Sequence, residues 1–289
     1  MNSNNILEKV KKLREITGVG FKDCKIAIDE NSGDIEKSIE FLRKKGIAKA
    51  SKKMERVAAE GLVCISDKEN KLSIIEINSE TDFVAKNSDF INFVEETSSL
   101  VLENFGDLKN VLKSKMKNKK NVEESLIALI SKIGEKITLR RCDFFDNNGV
   151  INFFYVHSPL KKNVGKIGVI VSVETEISHD KLSDFGKQLS MHIAASSPLA
   201  LDENDLDKKL LNKEKEIIVD ELKNSGKDSK IIDKIAAGKL NKFISDNTLL
   251  NQEWIMEPKK KVKDILKEIS PEKIIKIKKF IRFKVGEGV

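Results

Sequence analysis

The chain has 289 residues and a formal net charge of +7, and 39% of its residues are hydrophobic while 34% are charged. This composition excludes an intrinsically disordered chain and predicts a modular, highly charged globular protein of two or three compact units. The 53 basic residues are mixed with 46 acidic ones, so the net charge alone is weak grounds for nucleic-acid binding, and the low number of prolines, 4, favours long helices over an all-β fold.

Three short helices are predicted within residues 5–46. The first has apolar residues at helical spacing and ends at 17–20, and the second covers about 21–30. The third begins after Asp34, a favourable N-cap, and ends at Gly46. A unit of this size is only marginally stable alone and is typical of a module that presents a surface to a partner.

The next segment is predicted to form a sheet covered by helices. A connecting helix is expected over 48–60, followed by strands at 62–66 and 72–78. Amphipathic helices are then expected over 88–104 and 122–134, with apolar residues along one face of each.

A second round of the same order is predicted to begin at residue 137. Strands are expected over 137–145, 150–157 and 166–174, and a helix follows over about 180–196. The repeated order predicts two similar subdomains, each with a small antiparallel sheet covered by helices.

Residues 205–243 differ in kind, because they are predicted to form two long antiparallel helices that are separated at Ser225 and Gly226. Such a helical hairpin either projects from the body to contact another chain or packs flat on its own body, and its sequence leaves both arrangements open. The tail is then expected to return to the body through residues 262–266 and 274–284.

One loop stands out between the strand at 72–78 and the helix that follows it. Within the loop an acidic residue, Asp82, is followed at once by a large aromatic one, Phe83. If the loop holds Phe83 out toward solvent, the ring needs a pocket in a partner. The alternative is that Phe83 folds back into its own core, which is the commoner fate of an isolated aromatic near a strand end.

Several kinds of chemistry have no signature in the sequence. There is no phosphate-binding glycine loop, no pair of histidines at metal-binding spacing and no nucleophile elbow. The cysteines are three in number and widely separated, which argues against a disulfide framework or a zinc site and favours a reducing compartment. His157 is either a base or an exposed contact, although a lone histidine on a strand is more often structural. We therefore expect no catalytic residues, no bound metal and no cofactor.

Two basic runs, 113–120 and 259–263, are compatible with phosphate or membrane contact, but they lack aromatic residues that would stack on bases. Solvated loops are the favoured interpretation, and an RNA-binding protein remains the alternative, with steeply salt-dependent affinity. The N-terminus lacks the apolar core of a signal peptide, and the longest apolar stretch, 167–173, is too short to span a bilayer. A cytoplasmic protein is expected.

Six stretches carry a family resemblance and occur in one order along the chain. They are LREITGVGFKDCK at 13–25, LRKKG at 42–46, AAEGLV at 58–63, NSETDFVA at 78–85, MHIAAS at 191–196 and FIRFKVGEG at 280–288. With these motifs the chain resembles the bacterial elongation factor Ts family, which exchanges guanine nucleotide on elongation factor Tu.

The resemblance implies an α+β fold of five segments. They are an N-terminal three-helix domain similar to a ubiquitin-associated (UBA-like) domain at 1–54, a first core subdomain at 55–140, the first part of a second core subdomain at 141–197, an inserted antiparallel coiled-coil hairpin at 198–247, and a return to the second subdomain with a C-terminal module at 248–289.

The resemblance also implies a function and a set of contacts. A member of this family binds the GDP form of elongation factor Tu, displaces Mg²⁺ and promotes GDP release, without covalent chemistry. The residues that match the Mg²⁺-dislodging segment are Thr81, Asp82, Phe83 and Val84. Further contacts with the GTPase domain and a second domain of the partner are expected from Leu13, Arg14, Thr17, Gly18, Val19, Gly20 and His157. No direct contact with nucleic acid or membrane is expected.

Overall fold

The computed structural model describes residues 3–17, 19–53, 55–223 and 229–289. The α-helices are α1 Ser3–Thr17, α2 Phe21–Glu30, α3 Ile35–Lys53, α4 Asp82–Ala85, α5 Ser88–Glu103, α6 Leu108–Lys113, α7 Val122–Ile133, α8 His179–Ser196, α9 Lys208–Lys223, α10 Ser229–Asn247 and α11 Val262–Ile269. The strands are β1 Glu60–Lys68, β2 Lys71–Ser79, β3 Ile137–Phe145, β4 Ile151–His157, β5 Val164–Gly165, β6 Ile167–Glu174 and β7 Lys276–Lys284. Within these residues, no helix combines the length and the apolar character that crossing a membrane requires.

The strands form two antiparallel sheets. The first sheet has the order β3-β2-β1-β5 and the second has the order β4-β6-β7. The hairpin between β1 and β2 turns at Glu69 and Asn70, which both have positive φ angles, as a tight two-residue turn requires. The predicted mixture of helices with small antiparallel sheets is therefore confirmed.

The two sheets pack face to face and the helices cover their outer faces. On β1, Val63 and Ile65 point into the apolar layer between the sheets, whereas Leu62 and Cys64 point toward α5 and α7. The second sheet alternates in the same way and is covered on its outer face by α8 and α11. The result is four layers, with both sheets buried in the middle.

A glycine sets the closeness of the two sheets. A Cβ atom at Gly168 on β6 would lie 2.6 Å from Val63 Cγ1 and 3.1 Å from Ile74 Cδ1 in the facing sheet. No side chain fits there unless the sheets move apart, so Gly168 permits the close contact.

The assignment of β3 to a second round of structure was wrong. β3 pairs with β2 over its length, with a bulge beside Glu76, and so belongs to the first sheet. The boundary predicted between residues 140 and 141 falls inside this strand. The physical reason is that α7 lies over the first sheet, and the short turn after it returns the chain antiparallel to the open edge of β2.

The prediction that Gly46 ends the third helix was also wrong. α3 continues to Lys53, and β1 already begins at Glu60, so the connecting helix predicted over 48–60 is only the end of α3, and residues 55–59 are a turn and irregular chain. Gly46 lies where α3 crosses α7, and a Cβ atom there would be 2.6 Å from Ser131 Oγ. The glycine thus allows two helices to approach closely, while the surrounding Ala and Lys residues favour continuing the helix.

The N-terminal helices α1, α2 and α3 have a small core of their own, formed by Val10, Leu13, Cys24, Ala27, Ile28 and Leu42. The long helices α9 and α10 also pack on each other, through Ile218, Leu222 and Ala236. The break predicted at Ser225 and Gly226 lies outside the described residues.

Backbone hydrogen bonds close the base of the α9 and α10 pair. Ala200 and Thr248 form a parallel bridge. The Leu199 amide donates to the Asn247 carbonyl, and the Leu249 amide donates to the Ala200 carbonyl, each at 2.9 Å. The outgoing and returning chains are therefore joined where they meet the body.

A buried carboxylate ties the C-terminus to the first sheet. Glu76 on β2 is fully buried and accepts hydrogen bonds from Arg140 Nη1 at 3.0 Å, Arg141 Nε at 2.6 Å, Asn78 Nδ2 at 3.0 Å and the Gly286 amide at 2.9 Å. Burial raises the pKa of Glu76, but these four donors outweigh it and hold the pKa below its usual value.

Replacing Glu76 with Gln is expected to lower the free energy of unfolding by about 3 kcal/mol at pH 7, because the two arginines lose their buried partner. The folded-state pKa is depressed, so this stabilisation is present above the ordinary pKa of 4.5 and is lost as pH falls through the folded value. Urea unfolding at pH 7 and pH 3.5 checks this: the difference between E76Q and wild type should shrink at the lower pH. The exposed control Glu272→Gln should differ little from wild type at either pH, and an equal loss in both variants would contradict the assignment.

A buried histidine holds the segment after α10 against α8. His192 is fully buried, its Nε2–H group donates to Gln252 Oε1 at 3.1 Å, and its Nδ1 atom accepts from the Ile255 amide at 3.4 Å. The ring stacks on Trp254 at 5.2 Å. Burial lowers the pKa of His192 and outweighs the opposing effect of the Gln252 hydrogen bond, so the ring is neutral in the folded protein at neutral pH.

Acidification is therefore expected to destabilise the fold through His192. The unfolded chain binds a proton near pH 6.5 and the folded chain only at lower pH, so this stabilisation is present above pH 6.5 and is lost below it. Unfolding followed by the fluorescence of Trp254, the single tryptophan, at pH 7.5 and 5.5 measures the effect. The loss of stability between the two pH values should be smaller in H192Q than in wild type, with the exposed His179→Gln as control. Equal losses in wild type and H192Q would refute the assignment.

Candidate partner-binding site

Phe83 lies outside the core on a single helical turn. α4 places Val84 and Ala85 in the core, where they are 6% and 1% exposed, and turns Phe83 outward with 79% of its surface exposed. The turn is bounded by Thr81 as its N-cap and by Asn87, whose side chain caps α5. Of the two alternatives left open by the sequence, the exposed one is observed, so a large apolar ring is held in solvent at a defined position.

Asp82 presents a charge beside this ring. Its carboxylate accepts a hydrogen bond from Lys86 Nζ at 2.8 Å, one turn later in the chain. This contact with Lys86 lowers the pKa of Asp82 and raises the pKa of Lys86, so both groups are charged at neutral pH. Asp82 and Lys86 both remain solvent-exposed and accessible to a partner.

Thr81 is held by a residue that the sequence did not single out. Glu135, in the turn between α7 and β3, accepts hydrogen bonds from the Thr81 amide at 3.0 Å and from the Thr81 hydroxyl at 2.8 Å. The same hydroxyl accepts from the Val84 amide at 3.5 Å. Glu135 follows Thr81 by more than fifty positions, and no local pattern could have paired the two residues.

His157 lies at the same end of the two sheets as the Phe83 loop. It is exposed, pairs with Ile167 across β4 and β6, and has its Nδ1 atom 3.1 Å from the Tyr155 hydroxyl. Lys166, next to Ile167, donates to Glu60 at 2.5 Å, and its positive charge acts on Asp82. Two of the sequence-predicted contacts, His157 and the loop, therefore both lie at the end of the sheets where Lys166 is found.

The predicted contacts in the first helices differ in exposure. Leu13 is fully buried in the core of the three-helix unit, so it supports the unit from within. Arg14 and Gly20 are exposed, and Gly20 precedes the first turn of α2.

Two further predicted contacts face the body of the protein. Thr17 and Val19 line a cavity of 240 Å³ between the three-helix unit and α7. The Thr17 hydroxyl already has a hydrogen-bond partner in its own helix, since it donates to the Leu13 carbonyl at 2.7 Å. Gly18 lies outside the described residues.

The basic loop at 113–120 is anchored by Met116, which is 6% exposed, while its lysines are all exposed to solvent. Among the residues that the structure describes, no group of three or more His, Cys, Asp or Glu side chains is arranged to hold a metal ion.

Comparison with known proteins gives a consistent result. The family model described as Elongation factor TS matches residues 80–287. The elongation factor Ts of Zymomonas mobilis is 41% identical, with 97% of this chain and 92% of the relative covered. That of Rickettsia prowazekii is 43% identical, with 97% and 91% covered, and that of Bartonella quintana is 42% identical, with 97% and 92% covered.

The contrast between exposed and buried phenylalanines gives a test of the loop geometry. Phe83→Ala is expected to change the free energy of unfolding by no more than about 0.5 kcal/mol, because the ring makes little contact with the fold. Phe90→Ala, seven residues later and fully buried, is expected to cost about 3–5 kcal/mol. Denaturant unfolding of the two variants measures both values, and a large loss in F83A would mean that the ring packs on the protein in solution.

Proposed function

The chain belongs to the elongation factor Ts family of translation elongation factors, and from that premise we propose that it is a guanine nucleotide exchange factor. It binds elongation factor Tu in its GDP form, displaces Mg²⁺ and promotes release of GDP so that GTP can bind. The observation that carries this proposal is the exposed ring of Phe83 on an anchored turn.

Phe83 acts as the anchor of the contact. An exposed aromatic ring gains free energy when it enters an apolar pocket of a partner, and such rings dominate the binding energy of many interfaces. We place the ring between helices of the partner's GTPase domain, close to its nucleotide site. Val84 and Thr81 hold the turn that carries the ring, because Val84 is buried in the core and Thr81 caps the turn.

Asp82 supplies the charge that disturbs the metal site. In a GTPase, Mg²⁺ bridges phosphate oxygens of the nucleotide and neutralises their negative charge. The ionised Asp82 carboxylate arrives together with the Phe83 ring and competes for the polar groups that hold the metal and its waters. Without the ion, the diphosphate is poorly compensated and GDP leaves faster.

Other surfaces supply binding energy away from the nucleotide. The three-helix unit acts as a UBA-like domain that docks on the GTPase domain through exposed groups such as Arg14 and Gly20. His157 contacts a second domain of the partner, and the α9 and α10 pair acts as a coiled-coil hairpin for a further contact. The proposal needs no covalent step and no cofactor.

Thermodynamic linkage constrains the mechanism. If this protein weakens the affinity of the partner for GDP, then GDP must weaken the affinity for this protein by the same factor. A coupling of about 1–3 kcal/mol is usual for a pair of sites, so a large exchange effect requires several contacts that act together. The separate surfaces of this chain suit that requirement.

The exchange function is tested by measuring, in a stopped-flow experiment, how fast a fluorescent GDP is released from elongation factor Tu. Wild type should accelerate release, and Phe83→Ala should lose about tenfold or more of that acceleration, the scale of a central aromatic anchor. The matched control is Phe105→Ala, which removes another exposed ring, 69% exposed, from a different loop. No acceleration by wild type would refute the exchange function, and equal losses in F83A and F105A would refute the role of the loop.

Removing the metal separates the two parts of the loop. Asp82→Ala should also slow release in the presence of Mg²⁺, because it lacks the competing carboxylate. When EDTA has already removed Mg²⁺ from the partner, D82A and wild type should act alike. A deficit of D82A that persists unchanged in EDTA would show that Asp82 does not act through the metal.

A further inference from the structure

The turn between α7 and β3 and the loop before α4 are joined by hydrogen bonds to a carboxylate from each segment. Glu135 of the turn accepts from the amide and the hydroxyl of Thr81, at 3.0 and 2.8 Å. In return, Glu80 of the loop accepts from the Lys136 amide at 2.5 Å. Each segment thus satisfies a backbone donor of the other, and charge-assisted hydrogen bonds of this kind are stronger than neutral ones.

Glu135 also orients the hydroxyl that caps α4. A carboxylate can only accept hydrogen bonds, so the single hydroxyl hydrogen of Thr81 is directed at Glu135. The lone pairs of the oxygen are then left to accept from the Val84 amide, 3.5 Å away. The α4 turn has only four residues, and this cap adds to the bonds that the Lys86 and Asn87 amides donate to the Phe83 and Val84 carbonyls.

The position of Glu135 is itself well defined. Helix α7 is closed by Gly134, whose φ of 90° is left-handed and turns the chain toward the loop. Lys136 Nζ donates to the Arg56 carbonyl at 2.7 Å, and Arg56 Nη1 contacts the Glu80 carboxylate at 3.2 Å. The turn is therefore joined both to the loop and to the segment that follows α3.

From these contacts we propose that Glu135 is a positioning residue for Phe83, which it holds in its exposed orientation through Thr81. This inference rests on the proposed exchange function only for its consequence on GDP release. A ring that is already held in its binding orientation loses less conformational freedom on contact with a partner, so more of its contact free energy contributes to binding.

The first test measures loop order without any partner. Hydrogen–deuterium exchange of a peptide covering residues 78–87 should be several-fold faster in Glu135→Ala than in wild type, because the Thr81 and Val84 amides lose protection. The control Glu103→Ala, which removes an exposed carboxylate at the end of α5, should leave this peptide unchanged. Unchanged exchange in E135A would overturn the proposal whether or not the protein acts on elongation factor Tu.

The second test is a double-mutant cycle in the GDP-release assay. At a subsaturating concentration of this protein, E135A should slow GDP release by about tenfold, because a ring that is not held in place loses more conformational freedom on contact with the partner. In an F83A background the same change should have almost no further effect, because Glu135 acts through Phe83. Equal losses in both backgrounds would overturn the proposal, since a general structural defect does not depend on Phe83.

A conservative variant guards against loss of folding. Glu135→Gln keeps the size of the side chain and one oxygen acceptor for the Thr81 amide. Its NH₂ group, however, can only donate to the Thr81 hydroxyl, where it competes with the Val84 amide. Its release rate should lie between those of wild type and E135A. A rate for E135Q at or below that of E135A would contradict the proposed cap. If wild type itself does not accelerate release, the exchange function fails, and the hydrogen-exchange comparison alone decides the role of Glu135.

Discussion

The contact between the two sheets is the constraint on which the other elements depend. Because Gly168 lets β6 approach β1 closely, the sheets share one apolar layer and neither inner face is free for another element. The helices can then cover only the two outer faces. Phe83 and His157 both lie at ends of the sheets, where a strand gives way to a turn and side chains reach solvent.

Much of the fold could be predicted from the sequence, because alternation and helical spacing are local signals. Most helices and strands lie close to where the pattern placed them. The errors concern long-range contacts: the alternation in β3 shows that it is a strand but not that β2 is its neighbour. In the same way, a glycine such as Gly46 is typical of a helix end. Its role in letting two helices approach closely becomes clear only from the position of Ser131 on the crossing helix.

The candidate site was predictable in its position and not in its support. The loop after β2 could be located because an acidic and an aromatic residue stand together between a strand and a helix. Spacing could not decide the exposure of Phe83, since Phe90 and Phe93 follow closely and are both buried. Glu135 was missed because a single glutamate in a charged sequence carries no signal until the fold brings it to Thr81.

The closed base of the α9 and α10 pair has a consequence for how such a protein can change. The bridge between Ala200 and Thr248 joins the two ends of the helical segment at the surface of the body. The residues between them therefore form a closed loop, whose closure has an entropy cost. The entropy of closing a loop grows only slowly with its length. Evolution or protein engineering can therefore lengthen or shorten the paired helices in whole turns away from the body, at little cost in loop-closure entropy.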